Sequence, residues 1–518
     1  MDHIFWGGLQ RFGEAILAAA PTVIVGLLVA AIFRYGLGAN SVYRLFGGHS
    51  WRSLPQAWLW GMLLPVCSIG VIPVARELRR AGLPGGTVLA FALTAPLFNP
   101  LSLLYGLSLS VPLAIVTFAL ASLAVVTVVG WTWDRLFPET IGPSDRAVPI
   151  QPGLRRVAAV AWSVLQTASG TLLVYLLVGA AGNLVLGVVL PKGCLGNALA
   201  AGDWRAPLQM AAIAIPVYAT PLTVMQQIGS MFTHGNSIAA AYVLLSLGTG
   251  TNLGLLAWAG REYGMSRAAA FLVLVLVVVL PLAYLMEPSL RTEGNVDHPH
   301  SHAFDGYSAP FAVGQAGMAD AVHGKLIRHS LLHERWALIA LACTSAAGFV
   351  LCRSSASDWI TKWITAWPAD EASGLQSVMN RQLSPITIGM TAAVGGVVLS
   401  LVGCFVYFPS PSETLEDMRI VKADALSAAV SGDIDETVRH IERYDDLTRR
   451  LQVGYYLRNL ELDEYQRLRA KALRDHLEQL KDSVQAGQLD RVPDLRLQIT
   501  DAHRRVRSSF SHHTARDH

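Results

Sequence analysis

The chain has 518 residues, 52% of them hydrophobic and only 15% charged, and its mean hydropathy is +0.41. That is too apolar for a soluble protein of this length and places the chain among all-α polytopic membrane proteins. The formal net charge of +3 is small and spread over loops and tail, so it speaks for neither a nucleic-acid partner nor a strongly acidic substrate.

Ten apolar windows are long enough to cross a hydrocarbon layer of about 30 Å. They fall near residues 15–33, 57–75, 86–107, 111–131, 157–177, 208–231, 238–259, 268–286, 336–352 and 386–407. The N-terminus, MDHIFWGGLQRFGEAIL, lacks a basic leader and a small-residue cleavage site, so it does not read as a removable signal peptide. The five cysteines (67, 194, 343, 352 and 404) are scattered, with no zinc spacing.

The second and third windows hold residues that helices disfavour. Residues 65–102 read PVCSIGVIPVARELRRAGLPGGTVLAFALTAPLFNPLS, with Cys67, Ser68, Gly70 and Pro73 in the first segment and Thr94, Pro96, Asn99 and Pro100 in the second. Pro removes a backbone donor, and Ser and Asn compete for backbone hydrogen bonds, so both segments should break or kink. In lipid such backbone survives only when buried in protein or lining a wet cavity, and interrupted helices are where secondary transporters place their sites. A thiol beside a hydroxyl at such a break offers soft and hard contacts to one small solute.

An internal repeat is visible over residues 1–286. Thr22, Leu27, Leu28, Val29 and Ala31 match Thr171, Leu176, Leu177, Val178 and Ala180 at an offset of 149, and Gly82 and Asn99 match Gly235 and Asn252 at an offset of 153. This predicts a duplicated four-segment core with broken helices, repeat 1 at about 10–135 and repeat 2 at about 155–286. If all four segments cross, the repeats are parallel; if one per half is re-entrant, they are inverted. In the second half Tyr218, Thr220, Thr223, Gln226 and Gln227 stand where a Cys-Ser block would recur. Thr220, Thr223 and Gln227 share a helical face that can line a pathway or make a polar interhelical contact. Asn252 has Thr249 and Thr251 beside it, as Asn99 has Thr94.

Residues 287–335 form a polar loop, in which His298, His300 and His302 can gather a metal ion or simply be solvated. Two additional spans occupy 336–408, with Trp359, Trp363 and Trp367 between them on one face of an interfacial helix. Residues 409–518 turn charged and helical, reading as a small bundle or a coiled-coil-like arm in the cytoplasm. No nucleotide loop, nucleophile elbow or metalloprotease helix occurs, so neither an enzyme nor a cofactor is implied. Glu14, Glu77 and His234 are the only candidates for ion coupling near the spans.

The 65–102 block resembles the predicted permease family that includes the ArsP organoarsenical efflux permeases, whose signature is PxCSCxxxPxAR, a basic turn and an apolar segment ending in AP..NP. Pro65, Cys67, Ser68, Pro73, Ala75, Arg76, Gly82, Ala95, Pro96, Asn99 and Pro100 stand at the matching places, while Ile69 replaces the second Cys. The resemblance implies export of a small solute, an organoarsenical or related soft-element compound, by alternating access about a midplane site. That site is expected to use Cys67, Ser68, Pro73, Pro96, Asn99, Pro100, Thr220, Gln227, Thr249 and Asn252. The expected partners are the lipid bilayer of the inner membrane, the solute, and a second copy or another protein through the tail, with both termini cytoplasmic. The competing reading is a membrane-anchored scaffold or sensor whose tail binds a partner without transport.

Overall fold

The computed structural model describes residues 2–109, 111–138, 154–191, 194, 199–233, 236–290, 304, 306–311, 317–328, 330, 332–365, 394, 398, 401, 404–405, 407–432 and 434–511. The described residues are helices and turns, with a single isolated bridge between Ala200 and Asn236. They divide into two compact units, 1–103 with 113–398 and 104–112 with 399–518.

In the first unit α1 (Asp2–Ile32) is prolonged by a π-helical turn, Phe33–Leu37. A short α2 (Ala39–Leu45), α3 (Ser53–Leu63), α4 (Val71–Arg80), α5 (Gly85–Thr94), α6 (Pro100–Leu109), whose residues from 104 on count with the second unit, and α7 (Pro112–Leu136) follow. The second half has α8 (Leu154–Ala168), α9 (Leu172–Val189), α10 (Ala206–Ala214) and α11 (Pro221–Thr233). It ends with α12 (Ile238–Val243) and its π-helical extension Leu244–Thr249, α13 (Leu253–Tyr263) and α14 (Met265–Leu290). Among the described residues five helices are long and apolar enough to cross a bilayer, or six when 238–249 and 253–263 count as one span bent by 54°. Ten crossings are not found among the described residues, outside which most of the tenth window lies.

Two of the expected spans are hairpins. Thr87 Oγ1 at the start of α5 donates to Ser53 Oγ at the start of α3 (2.9 Å), and Gly61 near the end of α3 lies against Thr94 and Ala95 at the end of α5. These helices run side by side in the same direction. Since α4 ends at Arg80, just ahead of α5, both ends of the α3–α4 pair lie together and residues 64–70 are its tip. The α10–α11 pair behaves likewise. Ala200 ahead of it bridges Asn236 after it, and Ser237 N donates to the Leu199 carbonyl at 2.8 Å, so residues 215–220 are the second tip.

The hairpins enter from opposite ends. Arg79 of the first pairs with Glu262 at 3.2 Å, next to the start of α14, whereas the second closes beside Glu287 at the end of α14. Helices α1 and α9 are antiparallel: Gly7 lies against Gly187 at one end, and Tyr35 packs with Ala159 and Trp162 ahead of α9 at the other.

The polar segment after α14 is not wholly a loop. It contains α15 (Met318–Arg328), and residues 306–311 pack on the unit through a bond from Ala309 N to the Leu190 carbonyl (2.8 Å) and one from Arg11 Nε to the Ser308 carbonyl (3.0 Å). Helix α16 (Leu332–Arg353) is the ninth expected span, and α17 (Ala356–Thr365) carries Trp359 and Trp363 exposed and stacked. Trp367, His234, His298, His300 and His302 lie outside the described residues.

The second unit gathers α18 (Pro411–Ser431), α19 (Ile434–Asn459), α20 (Glu464–Gln485) and α21 (Val492–Ser511) around one apolar core. Its helix ends follow local chemistry: Ser410 caps α18, Gly432 ends it in the left-handed region (φ 76°), and Asp463 with Gln466 forms a capping box on α20. Inside the core the Tyr444 hydroxyl stands 2.6 Å from His503 Nδ1. Burial, with Lys422 and Arg507 adding repulsion, pulls the His503 pKa from 6.5 to about 4.

His503 is thus neutral in the fold but protonates in the unfolded chain. Its contribution is intact above pH 6.5 and is lost as the pH falls toward 4. Helix melting of the full-length protein, followed by circular dichroism, should begin at lower temperature near pH 5 than near pH 7, and the difference should shrink in His503→Gln. Equal pH dependence in both proteins would contradict this assignment.

Candidate functional site

The backbone is non-helical at Pro65–Ser68 because Pro65 offers no donor, and the chain must nevertheless bury there. Close approach of backbone solves this. A Cβ on Gly26 of α1 would stand 1.9 Å from the Gly70 carbonyl oxygen, and one on Gly182 of α9 would stand 1.7 Å from the Pro216 carbonyl oxygen. Each hairpin tip is thus seated on a glycine of a long helix, where no other residue fits.

At the first tip the Asn252 Nδ2 donates a short hydrogen bond to Ser68 Oγ, while Asn252 Oδ1 accepts from Leu255 N at 2.8 Å and caps α13. The Cys67 sulfur accepts from Gly70 N at 3.2 Å. Tyr218 of the second tip brings its hydroxyl beside Cys67 and Thr22 without hydrogen-bond geometry to either. The backbone of Tyr218 is clamped by Asn183, whose Oδ1 accepts from Tyr218 N (2.7 Å) and whose Nδ2 donates to its carbonyl (3.0 Å). Gly179 of α9 lies against both Ile69 and Asn252. Thiol, hydroxyl, carboxamide and phenol therefore converge where both tips and the 250–252 break meet, all of them buried.

The other expected residues occupy separate places. Asn99 caps α6, its Oδ1 accepting from Ser102 N at 2.7 Å, and makes no hydrogen bond to Cys67, Ser68 or Asn252. Thr249 bonds back to the Leu245 carbonyl, as Ser and Thr often do in apolar helices. Pro73 is buried in α4, Pro96 lies within the 95–99 break and Pro100 opens α6 after it. Thr220 pairs with Thr223 at 2.8 Å, and Gln227 Oε1 accepts from the Tyr307 hydroxyl at 2.5 Å. Glu14 is held by Gln10 and Arg11, and Glu77 pairs with Arg80, so neither carboxylate is at the tips. Among the described residues no group of His, Cys, Asp and Glu is arranged to hold a metal ion.

Asn183, Tyr307, Asp134 and Glu287 were not anticipated as positioning groups. Asn183 had a signal, a carboxamide inside the apolar run 172–190. Asp134 Oδ1 accepts from Gly86 N (2.7 Å) at the start of α5, and Glu287 Oε2 accepts from Ala239 N (2.6 Å) at the start of α12. The offset of 153 that relates Asn99 to Asn252 also relates Gly86 to Ala239 and Asp134 to Glu287.

Membrane-long helices enclosing broken segments that meet at buried polar side chains define a membrane transport protein. The chain belongs to the predicted permease family ArsP_1, which matches residues 7–287. It is similar to the UPF0718 protein YcgR of Bacillus subtilis (strain 168), with 29% identity over 92 residues, 18% of this chain and 31% of that protein. The match thus spans less than a third of that relative. No solved structure matches the chain.

The Ser68–Asn252 contact links the first hairpin to the opposite half, and removing either side leaves a buried polar group unpaired. Ser68→Ala and Asn252→Ala should each lower the melting temperature in detergent. The double variant should lose less than the two single losses combined, with coupling of about 0.5–3 kcal/mol. Strict additivity would show that the contact carries no energy.

Proposed function

We propose that the first unit is a secondary transporter that moves a small solute by alternating access, with Cys67, Ser68, Asn252 and Tyr218 at the centre of its site. The observation that carries this reading is the meeting of the two tips and the 250–252 break at those side chains. Half-helices ending at the centre of a bundle offer polar contacts a continuous helix cannot. The thiol of Cys67 beside the Ser68 hydroxyl suits a soft-element solute, an organoarsenical or a relative of one, with a single sulfur ligand because Ile69 supplies none. Asn99, Thr220, Thr249 and Gln227 belong to the path on either side of that centre in this reading. Glu14 and Glu77, already paired, serve better as electrostatic anchors than as ion carriers.

An inverted repeat accounts for the arrangement. Hairpins entering from opposite ends, antiparallel α1 and α9, and the recurrence of the Asp134–Gly86 contact as Glu287–Ala239 all support it. Two halves related in this way can exchange conformations, closing one end as the other opens. The Tyr307–Gln227 bond is the closure on the side of the second hairpin.

Charge orients the core. Arg34, Arg44, Arg52, Arg79, Arg80, Arg135, Arg156 and Arg267 gather at the end where the first hairpin opens, while Arg11, Arg205, Lys325 and Arg335 lie at the other. In this reading the positive-inside bias favours the first end as cytoplasmic and the start of α1 as external, against the alternative of a cytoplasmic N-terminus. In intact cells an Asp2→Cys variant should react with a membrane-impermeant maleimide; protection until the cells are lysed would reverse the assignment.

The function is tested with purified protein in proteoliposomes, loaded with trivalent methylarsenite, inorganic arsenite or metal ions. Flux of the methylarsenical that falls at least tenfold in Cys67→Ser and in Asn252→Ala is the expected result. No solute moving above empty vesicles would return the chain to the scaffold or sensor reading.

A further inference from the structure

We propose that the guanidinium-rich end of the core holds a binding site for a phosphate-class oxyanion, with Arg76, Thr171 and Tyr175 as its ligands. An open cavity of about 480 Å³ lies there, lined by Arg76, Arg79, Arg80, Thr171 and Glu262. Two of its three cations are already neutralised. Arg79 pairs with Glu262 and lies 4.2 Å over the Tyr263 ring, and Arg80 pairs with Glu77.

Arg76 differs. No carboxylate forms an ion pair with it among the described residues, and its Nη2 donates instead to Thr171 Oγ1 (2.9 Å) and to the Tyr175 hydroxyl (3.3 Å). An oxygen that accepts from a guanidinium keeps its own proton for another acceptor. Among the described residues neither hydroxyl makes a further hydrogen bond; Arg76 and Thr171 line the cavity, and the hydroxyl of the buried Tyr175, whose ring lies 5.4 Å from the Arg76 guanidinium, adds a second O–H donor beside Arg76. Thr171 is also the N-cap of α9, and no side chain caps that helix start. The partial positive charge there adds to the attraction for an anion. A cation is repelled by the same set, and a tetrahedral oxyanion has enough acceptors to engage all three donors.

The anion can arrive as a lipid headgroup phosphate or as a free anion. Its place is next to the transport centre, since the Tyr175 carbonyl packs against Gly254, two residues beyond Asn252. A role as the vestibule of the pathway therefore rests on the permease reading; the binding itself does not.

Full-length protein in neutral detergent is titrated with radiolabelled inorganic phosphate at constant ionic strength, and separately with short-chain phosphatidylglycerol against phosphatidylcholine, followed by melting temperature. Saturable phosphate binding that weakens about tenfold in Arg76→Gln and severalfold in Tyr175→Phe assigns a free anion. Stabilisation by phosphatidylglycerol alone, lost in the same variants, assigns a lipid phosphate. Tyr175→Phe, which keeps the ring and leaves Arg76 its bond to Thr171, should still melt in one cooperative transition in the absence of ligand and lose only the ligand-induced shift, which separates lost binding from lost folding. Absence of saturable binding in both arms, or equal binding by native protein and both variants, overturns the site. Transport without anion binding rejects this site alone, whereas anion binding without transport rejects the permease reading alone.

Discussion

Every interruption of a membrane helix leaves backbone donors and acceptors that lipid cannot satisfy, and the core is built around satisfying them. Asn252 does so twice, capping α13 with its oxygen and reaching Ser68 with its nitrogen. Asn99 caps α6, Asn183 closes on the backbone of Tyr218, and Asp134 and Glu287 accept from the first donors of α5 and α12. These are the polar residues an apolar chain of this kind retains at the cost of their desolvation. Each bonds backbone where a helix begins or a hairpin turns.

The same constraint explains the glycines at the tips. A broken segment can be buried only if a long helix approaches it within backbone contact, which Gly26 and Gly182 permit. Two hairpins seated this way from opposite ends bring a thiol and a hydroxyl from one half against a carboxamide and a phenol from the other. Contacts across such a seam are the ones that must change when one half moves against the other. These polar contacts lie alongside extensive apolar packing between the two halves, as where α1 lies along α9 at Gly7 and Gly187 and where Phe118 meets Tyr242.

Much of this was legible in the sequence, and the limits are physical. The breaks in residues 65–102 and at Asn252 follow from proline and carboxamide chemistry, which is local, and the tail helices from their caps and apolar stripes. Hydropathy counts residues but not direction, so windows 57–75 and 208–231 read as crossings although each contains a chain reversal. The fifth window is likewise divided, since α8 ends at Ala168 and α9 begins at Leu172. The 153-residue offset already tied Asn99 to Asn252; carried to charged residues it points to Asp134 and Glu287 as well. The packing of Tyr307 on Gln227 had no sequence signal, because a tyrosine in a polar segment has no period to betray its partner.

Cys67 is a natural reporter of whether the buried seam opens. With Cys194, Cys343, Cys352 and Cys404 replaced by Ser, its alkylation should be followed in proteoliposomes by small impermeant thiol reagents applied to either face. Alternating access predicts slow labelling from each face, suppressed by a transported solute, and faster labelling from the side of the second hairpin in Tyr307→Phe. A Cys67 that never reacts from either face in protein that still transports would place the pathway elsewhere and contradict the account.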